Sequence, residues 1–584
     1  MICVSAALVL TAGAATAETP KRGGILNFAV VAEPPNYDCH ASQTFAVLHP
    51  VSPMYSYLVK YDSSQDGKIV GDLAKSWTIS ADGLVYTFKL HEGVTFHDAS
   101  SLTSADVKAT FERIADPPQG VVSLRKSTMQ DIASIDTPDA TTIVFKLKTV
   151  NASMLDNLAS PFNCVYSAAK LKEDPKFPEK NILGSGAFQF VEYVRGTYLL
   201  TKRFDGYFRK GLPYLDGYKA YFVKSGGVVP GMLGGQFDVE FRGRTPSERD
   251  QLLKSADHER WVLHEGPWAT VDIVIFNTTH KPFDDPRVRR ALSLAIDRWR
   301  GNEALSKITF VKATGGFLRP GYEYALPESE ILKIPGYERD IEKSRAEARR
   351  LLKEAGVENL ALKLHNRTVA EPYTPVGVFL IDQWKRIGVT VEHSQVETSP
   401  YFGNLVEGNF DVALYPITVP ADEVTAQHQS HLTNAKSPIS YSRHTDTKLD
   451  DLWDQQSRTL DPVKRKAIVH EFERHLLTEN YSLSINWWQR IIVHHKKIKG
   501  WHFSPSRPAT DEIGNQPSRP VRVAWTTFAM RPARNASIVK SERRRALPGL
   551  TSQLRAVSAP TRAARARVAI QVLLRSTPVQ DAAR

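Results

Sequence analysis

Phe276-Asn277-Thr278-Thr279-His280-Lys281-Pro282-Phe283-Asp284-Asp285-Pro286-Arg287-Val288-Arg289-Arg290-Ala291-Leu292-Ser293-Leu294-Ala295-Ile296-Asp297-Arg298 is the stretch on which the fold turns. A nearly continuous apolar run, residues 270–276, enters it as a strand covered on both faces would. Past Pro286, Val288, Leu292, Ala295 and Ile296 gather on one side of a helix, leaving Arg287, Arg289 and Arg290 outside or paired. Strand followed by core-facing helix is the signature of a mixed α/β (α+β) chain. The same alternation extends outward from residue 25 to about residue 500. Strands are expected at 25–32, 85–90, 141–147, 360–364, 389–393 and 410–415.

Punctuation supports the helices. Thr103-x-x-Asp106 has capping-box spacing ahead of 104–115, which stops at Asp116-Pro117-Pro118. Ala348, Leu351, Leu352 and Ala355 share a face in 341–355, and Gly356 supplies the left-handed stop. Asp461-Pro462 is an N-cap followed by a first-turn proline, opening a helix through Ile468, Phe472 and Leu476. Asp82-Gly83 reads as a hairpin turn, and Gly184 and Gly186 as positive-φ positions where a strand re-enters the main sheet. No repeat of 20 to 50 residues is visible, which argues against solenoids and propellers.

With 584 residues and 65.2 kDa, two or three compact units are expected. Hydrophobic residues at 42% and charged residues at 24% exclude disordered and fibrous classes for most of the chain. The net charge of +12 would suggest nucleic acid or anionic lipid if it were spread over the body. It is not: residues 501–584 hold 15 Lys+Arg against 4 Asp+Glu, and the first 500 are nearly neutral. The tail, rich in Arg, Ala, Pro and Ser, reads as disordered or aberrant, and no nucleic-acid partner is expected.

Residues 2–10 are apolar, and small residues follow up to Ala15-Thr16-Ala17, the small-x-small pattern of a signal-peptide cleavage site before Glu18. No Lys or Arg precedes the run, which leaves the true start open. Export would remove Cys3 and leave Cys39 and Cys164, either as one disulfide or as two separate buried thiols. No other segment is apolar for the roughly 18 residues a membrane span needs.

Catalytic motifs are scarce. His470-Glu471-Phe472-Glu473-Arg474-His475 spaces its histidines five apart rather than four, turning the second off the first's face, so its polar residues are expected on the solvated side of a helix. Gly226-Gly227-Val228-Val229-Pro230-Gly231-Met232-Leu233-Gly234-Gly235 lacks the Lys-Ser/Thr of a phosphate loop and reads as a mobile connection. No Gly-x-Ser-x-Gly elbow or Cys-x-x-Cys occurs, and His494-His495 on a strand face opposite ways. No enzyme, metal or cofactor is expected. Tyr415, Asp422 and Glu423, Tyr441, Arg443 and Trp487-Trp488 place rings beside isolated charges. That suits a pocket that covers an apolar body and fixes a polar end, although each residue taken alone is more often core packing or a solvated charge.

Over roughly residues 23–505 the chain resembles the peptide and nickel type (family 5) of extracytoplasmic solute-binding proteins serving ABC importers. The opening stretch carries the likeness most strongly. Gly71-Asp72-Leu73-Ala74-x-Ser76-Trp77, Asp82-Gly83-x-x-Tyr86-Thr87-Phe88-x-Leu90, Gly93-Val94-x-Phe96-His97-Asp98 and Gly184-Ser185-Gly186-Ala187-Phe188 support it. These motifs mark the scaffold, not ligand contacts. The chain departs from the family at Ala99, where Gly is usual, and at Ser101, which replaces Pro. It also carries Tyr415-Pro-Ile-Thr-Val-Pro-Ala-Asp422 where peptide-binding members have Gly-Trp-x-x-Asp.

The resemblance implies a two-lobed periplasmic binding protein fold with an inserted subdomain in the first lobe and a ligand cleft between lobes. The expected layout is signal peptide 1–17, first lobe 18–58, inserted subdomain 59–175, first lobe again 176–268, second lobe 269–481, return to the first lobe 482–505, and tail 506–584. It further implies a monomeric periplasmic receptor that passes a small solute, a peptide or peptide-like compound, to a permease in the inner membrane. The candidate site residues are Asp422 for a cationic end, Arg443 for a carboxylate, and Tyr415, Tyr441, Trp487 and Trp488 as walls. The alternative is a secreted hydrolase of peptides or glycosides.

Overall fold

A computed structural model describes residues 21–62, 65, 67–419 and 422–501. The signal peptide and the basic tail expected from the sequence lie outside the described residues. One long mixed sheet organises the rest. In spatial order its strands are Thr390–Val396, Ala361–Arg367, Val412–Thr418, Trp261–Phe276, Ser482–His495, Val239–Glu240, Ile25–Val30, Gly217–Phe222, Tyr198–Arg203 and Phe188–Val194. Val311–Ala313 joins the side of Ser482–His495.

Two long strands cross the middle. Trp261–Phe276 pairs with Ser482–His495 from Trp261 to Pro267 and again from Val271 to Ile275, with the register broken between. Each side of that break has its own cores: Phe276, Leu292, Trp384 and Trp488 in one, Tyr415, Tyr441, Trp453 and Trp487 in a second, and Phe28, Val51, Tyr218 and Phe241 in a third. Ala74–Ile79, Val85–Leu90, Thr142–Leu147 and Ile132–Asp139 form a separate four-stranded antiparallel sheet. Helix Ser104–Ala115 packs on it, and Phe88, Phe111 and Phe145 fill the space between.

Local expectations translate directly where the signal is local. The Thr103/Asp106 capping box forms, and Asp461 accepts from the amides of Val463 and Lys464. Gly83 turns the hairpin at φ +71 and Gly356 ends its helix at φ +73. Val288, Leu292, Ala295 and Ile296 are buried, but the helix stops at Leu294 and Asp297 caps a second one beginning at Arg298. Arg298 is 1% exposed and donates to the carbonyls of Ser293, Gly336 and Ser484, so this family-marking arginine ties three segments together. Ala99 sits at φ 68, which explains why glycine is the easier residue there.

Three expectations need correction. Residues 225–233 are helical, not a mobile connection: Val228, Val229 and Met232 are buried and hold the turn despite its glycines. Gly184 and Gly186 do not take positive φ; they are needed because the chain passes close, a Cβ falling 1.9 Å from Met54 O and 2.6 Å from Met54 C respectively. Glu473 is not solvated. It is fully buried and accepts from the backbone amides of Phe317, Leu318 and Leu326.

Cys39 and Cys164 form a disulfide, Cα atoms 6.0 Å apart. Beside it Asp38 pairs with Arg113 at 2.7 Å and accepts from the Tyr166 hydroxyl at 3.0 Å. Burial alone would raise the Asp38 carboxyl, and His40 and Arg113 outweigh it, holding the group below its usual range.

Candidate functional site

Where the two long strands break register, a cavity of about 400 Å³ opens, walled by Trp268, Trp487 and Trp488, with Glu265, Lys312 and Arg319 supplying charge. The pairing of Trp261–Phe276 with Ser482–His495 is interrupted there between Pro267 and Val271, and Val311–Ala313 also pairs with Trp487 and Trp488, Trp487 keeping its pairing with Val271. Trp487 donates its indole N–H to Gly316 O at 3.1 Å. Trp488, next along the strand, faces the other way onto Trp268 and Phe310, ring centroids 5.3 and 5.1 Å away. A smaller gap of about 50 Å³ lies farther out, with Gln43, Arg125 and Asp156 on one side and Thr418, Glu423 and Ser430 on the other.

The sides of that gap are already bridged. Ser127 Oγ donates to Gln429 Oε1 at 3.0 Å, Gln130 Nε2 to Asp454 Oδ1 at 3.2 Å, and Ala152 N to Ser457 O at 2.7 Å. The arrangement is therefore closed, and the gap is what direct contact leaves.

Tyr415 and Tyr441 meet edge to face at 5.4 Å, both buried, and Tyr441 accepts from Gln43 Nε2 at 3.2 Å. Asp422 is held by Arg319, whose Nε donates to both carboxylate oxygens at 2.9 Å. Since Arg319 also lines the larger cavity, Asp422 enters as half of an ion pair. Arg443 stands apart: at φ 56 it donates to Val406 O at 2.6 Å, packs against Gly408, and lines neither cavity. The sequence reading brought forward neither Arg125 nor Trp268. Arg125 threads its guanidinium into the carbonyls of Cys39 and Ser42 and over the Phe162 ring at 4.8 Å. Burial lowers its pKa to about 10, so it stays charged.

Residues 68–436 match the family model described as Bacterial extracellular solute-binding proteins, family 5 Middle. The chain belongs to this family. Among curated relatives, the glutathione-binding protein GsiB of Pectobacterium atrosepticum is 31% identical over 360 residues, a match covering 61% of this chain and 65% of that protein. GsiB of Escherichia coli K12 is 26% identical over 454 residues, covering 75% and 84%. Among solved structures, the periplasmic binding protein DppA of Helicobacter pylori in complex with peptide STSA superposes with a TM-score of 0.75 at 22% identity, covering 85% of this chain and 99% of that one. AgaA of A. tumefacien R10, in complex with agropinic acid, gives 0.73 at 24%, covering 82% and 95%. This family 5 protein thus has the two-lobed fold, and the matches give the hydrolase alternative no support.

In this solute-binding protein the closure contacts carry a titratable cluster. Ser153 bonds Glu423 and lies 2.7 Å from Thr425 Oγ1, and Arg465 Nη2 reaches Ser153 Oγ at 2.7 Å and Glu423 at 3.2 Å. Tyr61 donates to Asp156 at 3.0 Å. Burial first, and then the Glu423 charge, push the Asp156 carboxyl well above its ordinary range, with Tyr61 and Arg465 opposing. A carboxyl raised on closing takes up a proton as the halves meet. Its contribution to the closed form is complete below the ordinary carboxylate pKa and is lost as pH rises through the raised value. The closed population is expected to grow as pH falls from about 8 to about 5, and D156N to flatten that dependence. Scattering-derived radius against pH checks this; an expansion on acidification would contradict it.

Proposed function

We propose that this family 5 protein is the periplasmic receptor of an ABC import system, a monomer that encloses a peptide or peptide-like solute between its lobes and hands it to an inner-membrane permease. The observation that carries the reading is the cavity of about 400 Å³ at the strand crossing, with three indole walls and both signs of charge, in a molecule whose halves already touch. Solute that contacts both sides would stabilise the closed form by its differential affinity alone, with no covalent step. The ligands named for the relatives, glutathione and short peptides, point to the same class. In this reading Trp487 and Trp488 supply walls of the cavity, whereas Tyr415 and Tyr441, expected as walls too, are buried against each other and line neither cavity. Asp422 takes a cationic end in exchange with Arg319, and Arg443 takes a carboxylate only after giving up its bond to Val406.

Native mass spectrometry of the full chain, incubated with a mixture of di- and tripeptides and then desalted, tests the reading. A discrete one-to-one adduct released unchanged is the expected result. Cleaved products would replace the receptor with a hydrolase, and no adduct with any peptide would remove the peptide class.

A further inference from the structure

At the strand crossing, five nearly fully buried side chains carry polar atoms with no well-formed hydrogen bond among the described residues, the Trp488 indole only leaning toward the Asp272 carboxyl. They are Asp272 (both oxygens), Asn486 (both amide atoms), the indole nitrogens of Trp268 and Trp488, and Nε and Nη2 of Arg242. Folded proteins pair more than nine in ten such groups, so one or two orphans are ordinary and a contiguous set is not. The set is contiguous. Asp272 stands opposite Asn486 on the neighbouring strand. Strand alternation puts Asp272 on the face of Val274 and Phe276, and Asn486 on the face of Trp488, and those three apolar residues share one core. Arg242 comes from outside the crossing strands and lies in a box of rings, its Cζ 5.4 Å from the centre of Phe310, 5.7 Å from Tyr373 and 5.6 Å from Trp488.

The inventory specifies a ligand. Three acceptor atoms, two on Asp272 and one on Asn486, call for a group rich in N–H donors. Five donor atoms, on Asn486, the two indoles and Arg242, call for oxygen acceptors close by. Trp268 and Trp488 also wall the cavity of about 400 Å³, which leaves room for the ligand's remainder. Burial raises the Asp272 carboxyl to about 7, with hydrogen bonding from the Trp488 indole and the Arg242 charge opposing it.

We infer that Asp272, Asn486, Trp268, Trp488 and Arg242 form a head-group subsite for a free α-amino-acid end, with ammonium and carboxylate on the same carbon. The ammonium sits on Asp272 and the Asn486 carbonyl; the carboxylate meets Arg242, the indoles and the Asn486 amide. The N-terminus of an ordinary α-linked peptide carries an amide on that carbon and leaves the guanidinium without its anion. A peptide joined through a side-chain carboxyl keeps the whole head. The inference rests on the receptor reading above and narrows it.

Isothermal titration of the full chain with γ-glutamylglycine and with its isomer α-glutamylglycine tests it, since the two differ only in which carboxyl is joined. The γ isomer is expected to bind at least tenfold more tightly. D272N and R242Q are each expected to lose most of that preference, and D272N to melt no lower than the parent, because it replaces a buried acid with a neutral amide of the same shape. Equal affinity for the isomers, or an unchanged preference in D272N, would overturn the subsite. Binding of other peptides but neither isomer would overturn it while sparing the receptor reading, whereas silence toward every peptide would remove both.

Discussion

Glu473→Ala is expected to destabilise the protein by about 3 to 6 kcal/mol, because three buried backbone amides lose their shared acceptor at about 1 to 3 kcal/mol each after partial relaxation. Phe317 N and Leu318 N donate to Oε1 at 2.7 and 2.8 Å, and Leu326 N to Oε2 at 3.1 Å. These amides belong to the loop after Val311–Ala313, and Gly316 admits the carboxylate: a Cβ there would lie 2.8 Å from Oε1. The loop has no strand or helix to pair its amides, so one side chain does the work of a ladder. Gln at 473 keeps the acceptor for Phe317 and Leu318 and turns a second donor toward Leu326, so it should fall between parent and alanine. Urea unfolding followed by tryptophan fluorescence reads both variants. A loss under about 1 kcal/mol for the alanine variant would show that water or a shifted loop satisfies the amides. Arg319, one residue beyond this loop's anchored pair, holds Asp422, so the alanine variant should also weaken peptide binding.

Removing the Cys39–Cys164 bridge is expected to cost about 5 kcal/mol, the chain-entropy value for a closed loop of this length. The separation of 125 residues encloses the whole four-stranded sheet and its helix, so the reduced unfolded chain gains much freedom. The bridge also fixes the segment bearing Asp38, whose pair with Arg113 at 2.7 Å is buried and so costly to break on one side. Comparing the melting of the oxidised parent, the reduced parent and a C39A/C164A variant separates bond from side-chain packing. The reduced parent and the variant should melt together, well below the oxidised form. Coincident melting of all three would mean that packing alone closes the loop.

Much of this architecture is legible in the sequence, and the reason is locality. Capping at Thr103 and Asp461, the turn at Gly83 and the helix stop at Gly356 depend on residues within a few positions of one another. Apolar periodicity locates the buried faces of 286–294 and 341–354 for the same reason. The stretch from Phe276 to Arg298 is specific enough to mark the family, even though its arginines serve the scaffold, as Arg298 does with its three carbonyl partners.

The site is less legible in the sequence. Tyr415 and Tyr441 are 26 positions apart, and nothing between them foretells an edge-to-face pair. Trp487 and Trp488 were visible as neighbours, and strand alternation alone sends them into different cores. Asp272 did leave a trace, as a lone acid inside the apolar run Val271-Asp272-Ile273-Val274-Ile275-Phe276. Glu473 left none: helical periodicity places it beside the apolar stripe, and only the loop at 316–318, arriving from more than 150 positions away, turns that flank into an interior.

By itself, then, the sequence determined the alternating strands and helices, their caps and the family of the scaffold, because those depend on short-range spacing and on motifs contiguous in the chain. The tertiary structure decided which charges are paired, which polar atoms are left without partners at the crossing of two strands, and where the cavity opens. Those outcomes depend on segments hundreds of residues apart being brought within a few ångströms, where burial sets the cost of every unpartnered polar atom.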